Sequence, residues 1–163
     1  MIVLGVDPGT ASTGYGVVEE TEGQLRAVDY GVVTTAAGEP LPLRLQTIYG
    51  ELRRLARLHR PASGSVEKLF FSRNVRTAMT VGQARGVALL ALADAGLEIR
   101  EYSPTEVKQA VSGYGHADKG QVQRMVQALL GLDEIPRPDD AADALAVAIC
   151  HLQAARFEEL VDP

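Results

Sequence analysis

The sequence contains no tryptophan, a single cysteine and no long apolar run. The lone Cys150 excludes an internal disulfide, and its apolar neighbours indicate a buried, unreactive thiol. Three scattered histidines form no zinc-binding pattern. Because no stretch could span a bilayer and no basic, apolar leader precedes the first strand, we expect a soluble, cytoplasmic protein with no membrane partner.

Lysine is also scarce, with three lysines against thirteen arginines, and the formal net charge is −5. A negative charge disfavours nucleic-acid binding, since phosphate contacts need positive side chains. A basic groove is nevertheless compatible with an otherwise acidic surface, so this function class stays open. A chain of 163 residues can bury one proper core, and we predict a single domain over residues 1–163.

Residues 2–18 are the most informative stretch of the chain. The apolar run Ile2–Val6 predicts a strand buried on both faces, and it ends on Asp7 before a Pro-Gly turn and a second β-rich run. A carboxylate at the end of a central strand is costly to bury unless it is paired or binds a metal. From these residues alone, a turn-forming role for Asp7 is equally acceptable. The Asp-x-Gly-Thr turn is also typical of actin-like and sugar-kinase-like ATPases.

The remainder of the chain alternates strands and helices. A third strand over residues 24–35 predicts an antiparallel meander, and the following helix carries arginines that we interpret as a solvated face: Arg44, Arg53, Arg54 and Arg57. The pattern then predicts a strand ending at Glu67, a strand over residues 97–102, and helices over residues 77–95, 104–112, 118–130 and 139–157. This order predicts an α/β fold with a mixed sheet and helices on both faces.

Four carboxylates are candidates for one site. Asp7 and Glu67 each end a strand, and sheets of this kind place their sites at the carboxyl ends of strands. Asp140 and Asp143 are three residues apart, on one face at the positive end of the last helix. Taken singly, Asp140 is better explained as a helix N-cap, and Asp143 as a complement to the helix dipole.

Four neighbouring acids would raise one another's pKa values unless cations lay between them. Ligands that are all oxygens, without cysteine or histidine, suit Mg²⁺ or Mn²⁺. Two such ions about 3.5–4 Å apart can clamp the attacking and leaving oxygens of a phosphodiester during in-line hydrolysis. We therefore expect two ions per active site and no covalent intermediate.

Several motifs in order identify the chain further: Val-Asp-Pro-Gly-Thr-x-x-Thr-Gly-Tyr-Gly at the start, Val-Glu-Lys-Leu-Phe-Phe-x-x-Asn around Glu67, Gly-Gln-Ala-Arg-Gly over residues 82–86, Val107-Lys108, Lys119, and Asp-Ala-Ala-Asp-Ala-Leu-Ala from Asp140. Over nearly the whole chain, this set resembles the RuvC family of bacterial Holliday junction resolvases. The resemblance implies a ribonuclease-H-like, five-stranded fold. It also implies a homodimer that nicks two opposed strands of a four-way DNA junction symmetrically, in homologous recombination and DNA repair.

The resemblance also assigns roles to particular residues. It implies that the catalytic, metal-binding acids are Asp7, Glu67, Asp140 and Asp143. It places DNA contacts on Phe70, whose ring would stack on or wedge an unpaired base, and on Lys108 and Lys119. The helix over residues 77–95 would form the dimer seam, and the branch-migration proteins RuvA and RuvB would be partners.

Three alternatives remain from the residues alone. An ATPase lobe of the actin and sugar-kinase type would need a second lobe and a second glycine-rich motif, neither of which the sequence offers. A non-catalytic nucleic-acid-binding module could use the same fold without the acids. A nuclease of RNA–DNA hybrids would share the metal chemistry and differ only in its substrate.

Overall fold

The computed structural model describes residues 1–68 and 75–162, so Phe70 lies outside the described residues. Within these ranges the elements follow in this order: β1 (Ile2–Asp7), β2 (Ser12–Thr21), β3 (Gln24–Thr34), α1 (Leu41–His59), β4 (Ser63–Glu67), α2 (Val75–Asp94), β5 (Glu98–Tyr102), α3 (Pro104–Ser112), α4 (Lys119–Leu130) and α5 (Asp139–Val161). The predicted strands and helices are therefore present, with shifts of a few residues at their ends.

The five strands form one mixed sheet in the order β3-β2-β1-β4-β5. Strands β1, β2 and β3 are antiparallel neighbours because short turns connect them, whereas β4 and β5 run parallel to β1 because a helix precedes each of them. The predicted mixed five-stranded sheet is thus confirmed. The parallel pairing of β1 with β4 brings the strand ends carrying Asp7 and Glu67 to one edge.

Both faces of the sheet are covered by helices, as the sequence predicted. Along β1 the side chains alternate: Val3 packs in the core under α3, α4 and α5, while Leu4 and Val6 pack in the core under α1 and α2. Burial on both faces explains why this strand is apolar without polar alternation. The two cores fix α5 on the same face of the sheet as the side chain of Asp7.

The predicted start of α3 is observed, whereas α5 ends later than predicted. Ser103 caps α3 as predicted, in a capping box with Glu106. Helix α5 continues to Val161, four residues beyond the predicted end at Phe157. Its last turn is exposed, so the apolar periodicity stops while helix-forming residues continue. Neither α5 nor any other helix in residues 1–68 and 75–162 is both long and apolar enough to cross a membrane.

Candidate active site

Three acids from distant parts of the chain meet at one edge of the sheet. Asp7, Asp140 and Asp143 each place a carboxylate oxygen within 4.8 Å of the other two, and all three side chains are partly buried. Asp7 is the last residue of β1, while the other two lie in the first two turns of α5. This spacing is suitable for ligands that share a divalent cation.

Glu67 joins the three aspartates from the neighbouring strand. It ends β4, which pairs with β1 one residue earlier through Val6 and Val66. Burial and then the charge of Asp143 raise the pKa of Glu67, and the charge of Glu67 in turn contributes to the raised pKa of Asp7. The fold therefore gathers all four predicted acids, with Glu67 flanking the set of three.

Glycines in β1 and β2 determine how closely α5 approaches the sheet. A β-carbon added to Gly14 would lie 1.9 Å from the carbonyl oxygen of Asp140, and one added to Gly5 would lie 2.3 Å from that of Ala144. The backbone of α5 thus rests directly on the backbone of the two strands. The glycines let α5 make this approach because they have no side chains to hold the helix away.

The structure bears on the simple alternatives for the acids and overturns one of them, the N-cap. The hydroxyl of Thr13 closes the turn after Asp7, accepting from the Gly9 N–H at 3.3 Å and donating to the Gly9 carbonyl at 2.5 Å. The interpretation of Asp140 as an N-cap is wrong, because Pro138 precedes the helix and no side chain caps it. Asp139 and Asp140 instead occupy the first turn, where the helix dipole favours negative charge.

The carboxylates are electrostatically costly as a group. Burial, together with the charges of Glu67, Asp143 and Asp140, raises the pKa of Asp7 from 3.8 to about 8. Burial likewise raises the pKa values of Glu67 and Asp143, each of which also faces another acid of the group. A cation among these oxygens would relieve both burial and repulsion. The donor set therefore fits a hard divalent metal such as Mg²⁺ or Mn²⁺.

Two lysines border these acids. A groove of about 270 Å³, here called the lysine groove, is lined by Glu67, Lys108, Lys119 and Asp143. Lys119 Nζ lies 3.2 Å from Asp143 Oδ2 and 3.6 Å from Asp139 Oδ2. Burial would lower the pKa of Lys119, but the two aspartates outweigh it and raise that pKa. Both lysines predicted to contact DNA are therefore next to the acids.

One arginine of α1 lies near the site, which the sequence did not indicate. Arg44 lines a second groove together with Asp140, although the arginines of α1 were interpreted as a solvated face. For Arg53 and Arg54 a surface role holds, since each forms an ion pair at the protein surface. The sequence around Arg44 does not distinguish it from the other arginines of α1, because the residues that line its groove come from distant parts of the chain.

Comparison with known proteins places this geometry in a family. Residues 3–151 match the family model for "Crossover junction endodeoxyribonuclease RuvC". A protein of that name from Chloroflexus aurantiacus is 60% identical over 155 residues, covering 95% of this chain and 94% of that protein.

Solved structures agree with the sequence match. The structure of "T. thermophilus RuvC in complex with Holliday junction substrate" superposes with a TM-score of 0.92 at 40% identity, covering 96% of each chain. The yeast mitochondrial Holliday junction resolvase Ydc2 shares the fold, with a TM-score of 0.68 at 13% identity and coverage of 97% of this chain and 83% of that one. The predicted ribonuclease-H-like fold is thereby confirmed.

Proposed function

The chain belongs to the RuvC family of crossover junction endodeoxyribonucleases, and we propose that it resolves Holliday junctions at the carboxylate edge of its sheet. The observation that carries this proposal is the meeting of Asp7, Asp140 and Asp143 within 4.8 Å, in a chain that matches the family from residue 3 to residue 151. The enzyme is a metal-dependent nuclease, and its products are two symmetric nicks in opposed strands.

Asp7, Glu67, Asp140 and Asp143 are the proposed catalytic acids, and they would hold two Mg²⁺ or Mn²⁺ ions. When bound, the metal supplies Lewis-acid activation of water and stabilisation of the departing 3′ oxygen. The acids would contribute oxygen ligands in a partly buried place, where a bound cation would offset the burial and mutual repulsion that raise the pKa of Asp7. Because α5 packs directly on the sheet, the carboxylate oxygens of these acids are held close together.

The neighbouring residues would position the DNA. Lys108 and Lys119 present positive charge along the lysine groove, where they would contact backbone phosphates next to the scissile one. Phe70 would stack on or wedge an unpaired base near Glu67, a role proposed from the family resemblance. Because the Lys119 side chain is more exposed than that of Asp143, its ion-pair partner, an incoming phosphate would have a cation available at the edge of the acids.

The remaining proposals concern assembly and location. Residues 1–163 would form a single nuclease domain, because every described helix belongs to one of two cores on the same sheet. A homodimer would use α2, whose Val75, Met79 and Leu90 are exposed on the isolated chain. Four-way junction DNA and the proteins RuvA and RuvB are the proposed partners, in the cytoplasm.

A substrate panel tests the function directly. The protein is incubated with a four-way junction, a linear duplex of the same sequence and an RNA–DNA hybrid, each with Mg²⁺, Mn²⁺ or a chelator. We expect paired nicks in the junction with either metal, and none with the chelator. Preferential cutting of the hybrid would favour the ribonuclease alternative, and junction binding without cleavage in both metals would favour a non-catalytic module.

A further inference from the structure

A second groove reaches the carboxylates from a different direction. Its volume is about 380 Å³, and we call it the arginine groove; its lining includes Gly9, Ser12, Arg44, Thr80 and Asp140. The lysine groove meets the acids at Glu67 and Asp143, whereas the arginine groove meets them at Asp140. The two grooves are thus joined by the acids.

Arg44 is held in place at this groove by a relay of hydroxyl groups. Its Nε–H donates to Thr35 Oγ1 at 2.8 Å, and the Thr35 hydroxyl donates to the Thr10 carbonyl at 2.6 Å. The Thr10 hydroxyl, almost fully buried, donates in turn to the Thr80 carbonyl at 2.9 Å. The relay ties α1 to the end of β3, to the turn after Asp7 and to α2, so the guanidinium is oriented before any ligand arrives.

The positive charge of Arg44 has no acidic partner in the described structure. Within residues 1–68 and 75–162, no carboxylate forms an ion pair with it, although Asp140 lines the same groove. On the same helix, Arg53 pairs with Asp94 and Arg54 pairs with Glu51. Arg44 therefore combines a fixed orientation with an uncompensated charge, and its remaining N–H groups are suited to bind an anion.

We infer that Arg44 forms a phosphate subsite for the cleaved DNA strand, on the opposite flank of the acids from Lys108 and Lys119. This inference rests on the proposed nuclease function. A strand that crosses the carboxylates carries phosphates on both sides of the one that is hydrolysed. The lysine groove supplies cations on one side, and among the described residues that line the arginine groove Arg44 is the one cation that could offset the repulsion between the strand and Asp140 on the other side. The planar guanidinium matches phosphate oxygens in a way that a lysine does not.

The experiment measures junction binding as a function of salt, without divalent cation so that no strand is cut. A fluorescent four-way junction is titrated with the wild type and with Arg44→Ala, Arg44→Lys and Arg57→Ala. Arg57 is the matched control because it is an exposed arginine on α1, and no ion pair is found for it among the described residues. It lies 13 residues further along, about 20 Å at the rise of a helix.

Loss of a phosphate contact lowers the slope of log affinity against log salt by about 0.9 for each bound subunit. We expect this change in Arg44→Ala, together with binding weakened about tenfold at low salt, the size of one charge-assisted hydrogen bond. Arg57→Ala should keep the wild-type slope. Arg44→Lys should restore the slope but not the full affinity, because lysine lacks the guanidinium held by Thr35.

A slope for Arg44→Ala equal to that of Arg57→Ala would overturn the subsite. The subsite would also be overturned if Arg44→Ala bound more weakly and Arg44→Lys did not restore the wild-type salt slope. That result would indicate a structural role of the hydroxyl relay. Junction cleavage by the wild type is scored separately in the substrate panel. If the wild type cuts junctions and Arg44→Ala binds them with the wild-type salt slope, the nuclease function is supported and only the phosphate subsite is refuted.

Discussion

A β-carbon on Gly14 would lie 1.9 Å from the carbonyl oxygen of Asp140, a distance that no packed pair of atoms can adopt. Gly14 is also the cross-strand partner of Asp7 in the β1–β2 ladder. Gly14 on β2, together with Gly5 on β1, therefore sets the gap between the sheet and the helix that carries Asp140. The geometry of the acids depends on this contact between two backbones.

Replacing Gly14 with alanine should displace the start of α5 and weaken metal binding. We expect Mn²⁺ affinity to fall about 10–100-fold, the range seen when the support of a metal ligand is lost, with a matching loss of cleavage. Calorimetric titration of Mn²⁺ and melting temperature are both measured. The control is Gly50→Ala in α1, where an added β-carbon meets nothing within 4 Å and helix propensity favours alanine. Unchanged Mn²⁺ affinity in Gly14→Ala would refute the positioning role.

Replacing any one of the four acids with its amide should strongly slow cleavage without weakening DNA binding. The four variants are Asp7→Asn, Glu67→Gln, Asp140→Asn and Asp143→Asn. Loss of an outer partner of a metal ligand costs about 10–100-fold, so we expect loss of a direct ligand to slow cutting at least about 100-fold. Junction affinity without metal should stay at the wild-type level or rise, since a negative charge is removed. Any variant that still cuts at the wild-type rate would be removed from the catalytic set.

The raised pKa of Asp7 predicts a pH-dependent stability of the metal-free protein. An acid whose folded-state pKa is raised supports the fold below its unfolded pKa, and this contribution is lost as pH rises through the folded value. For Asp7 that window runs from 3.8 to about 8. In a chelator, Asp7→Asn should therefore melt above the wild type at pH 8, by about 2–4 °C for each kcal/mol gained, and the gap should narrow toward pH 4.

Added Mn²⁺ supplies the check on this explanation. The metal should raise the melting temperature of the wild type at pH 8 more than that of Asp7→Asn, because only the wild type has the full set of charged ligands. A melting temperature of Asp7→Asn below that of the wild type, at pH 8 in chelator, would contradict this explanation. It would show that the charged Asp7 carboxylate does not destabilise the metal-free fold.

Two buried serines of β4 should respond differently to replacement with alanine. Ser63 Oγ lies 2.8 Å from Nε2 of His151, whose other ring nitrogen lies 2.8 Å from the Tyr102 hydroxyl. Ser63→Ala leaves a buried ring nitrogen unpaired, which should lower the free energy of unfolding by about 1–3 kcal/mol. Ser65 Oγ has no hydrogen-bond partner among the described residues, so Ser65→Ala should be neutral or stabilising.

Denaturant unfolding of both variants measures this difference. His151 lies eight residues beyond Asp143 on α5, about 12 Å along the helix axis, so Ser63→Ala should retain wild-type Mn²⁺ affinity. Equal destabilisation by the two substitutions would show that the bond to His151 contributes nothing specific.

Much of the architecture follows from local patterns in the chain. The apolar run of β1, the capping box at Ser103 and the periodicity of the helices are read over a few residues, because the forces that fix them act between near neighbours. The order of strands and helices then implies a mixed sheet. The end of α5 was misplaced because helix propensity continues after apolar packing stops.

The site itself was predicted as a set of four acids, with Phe70, Lys108 and Lys119 as DNA contacts beside it. The sequence indicated that Asp7, Glu67, Asp140 and Asp143 could converge if β1 and β4 were neighbours, a condition that no local pattern can fix. Their catalytic roles stay a prediction, as does the role of Phe70, which lies outside the described residues. Asp140 shows why local sequence is insufficient. Its position alone favoured an N-cap role, but no side chain caps α5 in the structure.

The chain alone determined which chemical groups are present and which local segments carry them. Tertiary structure alone decided that α5 rests on Gly14, that the charge of Glu67 acts on Asp7, and that Arg44 and Asp140 line the same groove. These relations join residues that are tens of positions apart. They depend on the pairing of strands and the packing of a helix on glycine backbones, which are set by burial of the whole core.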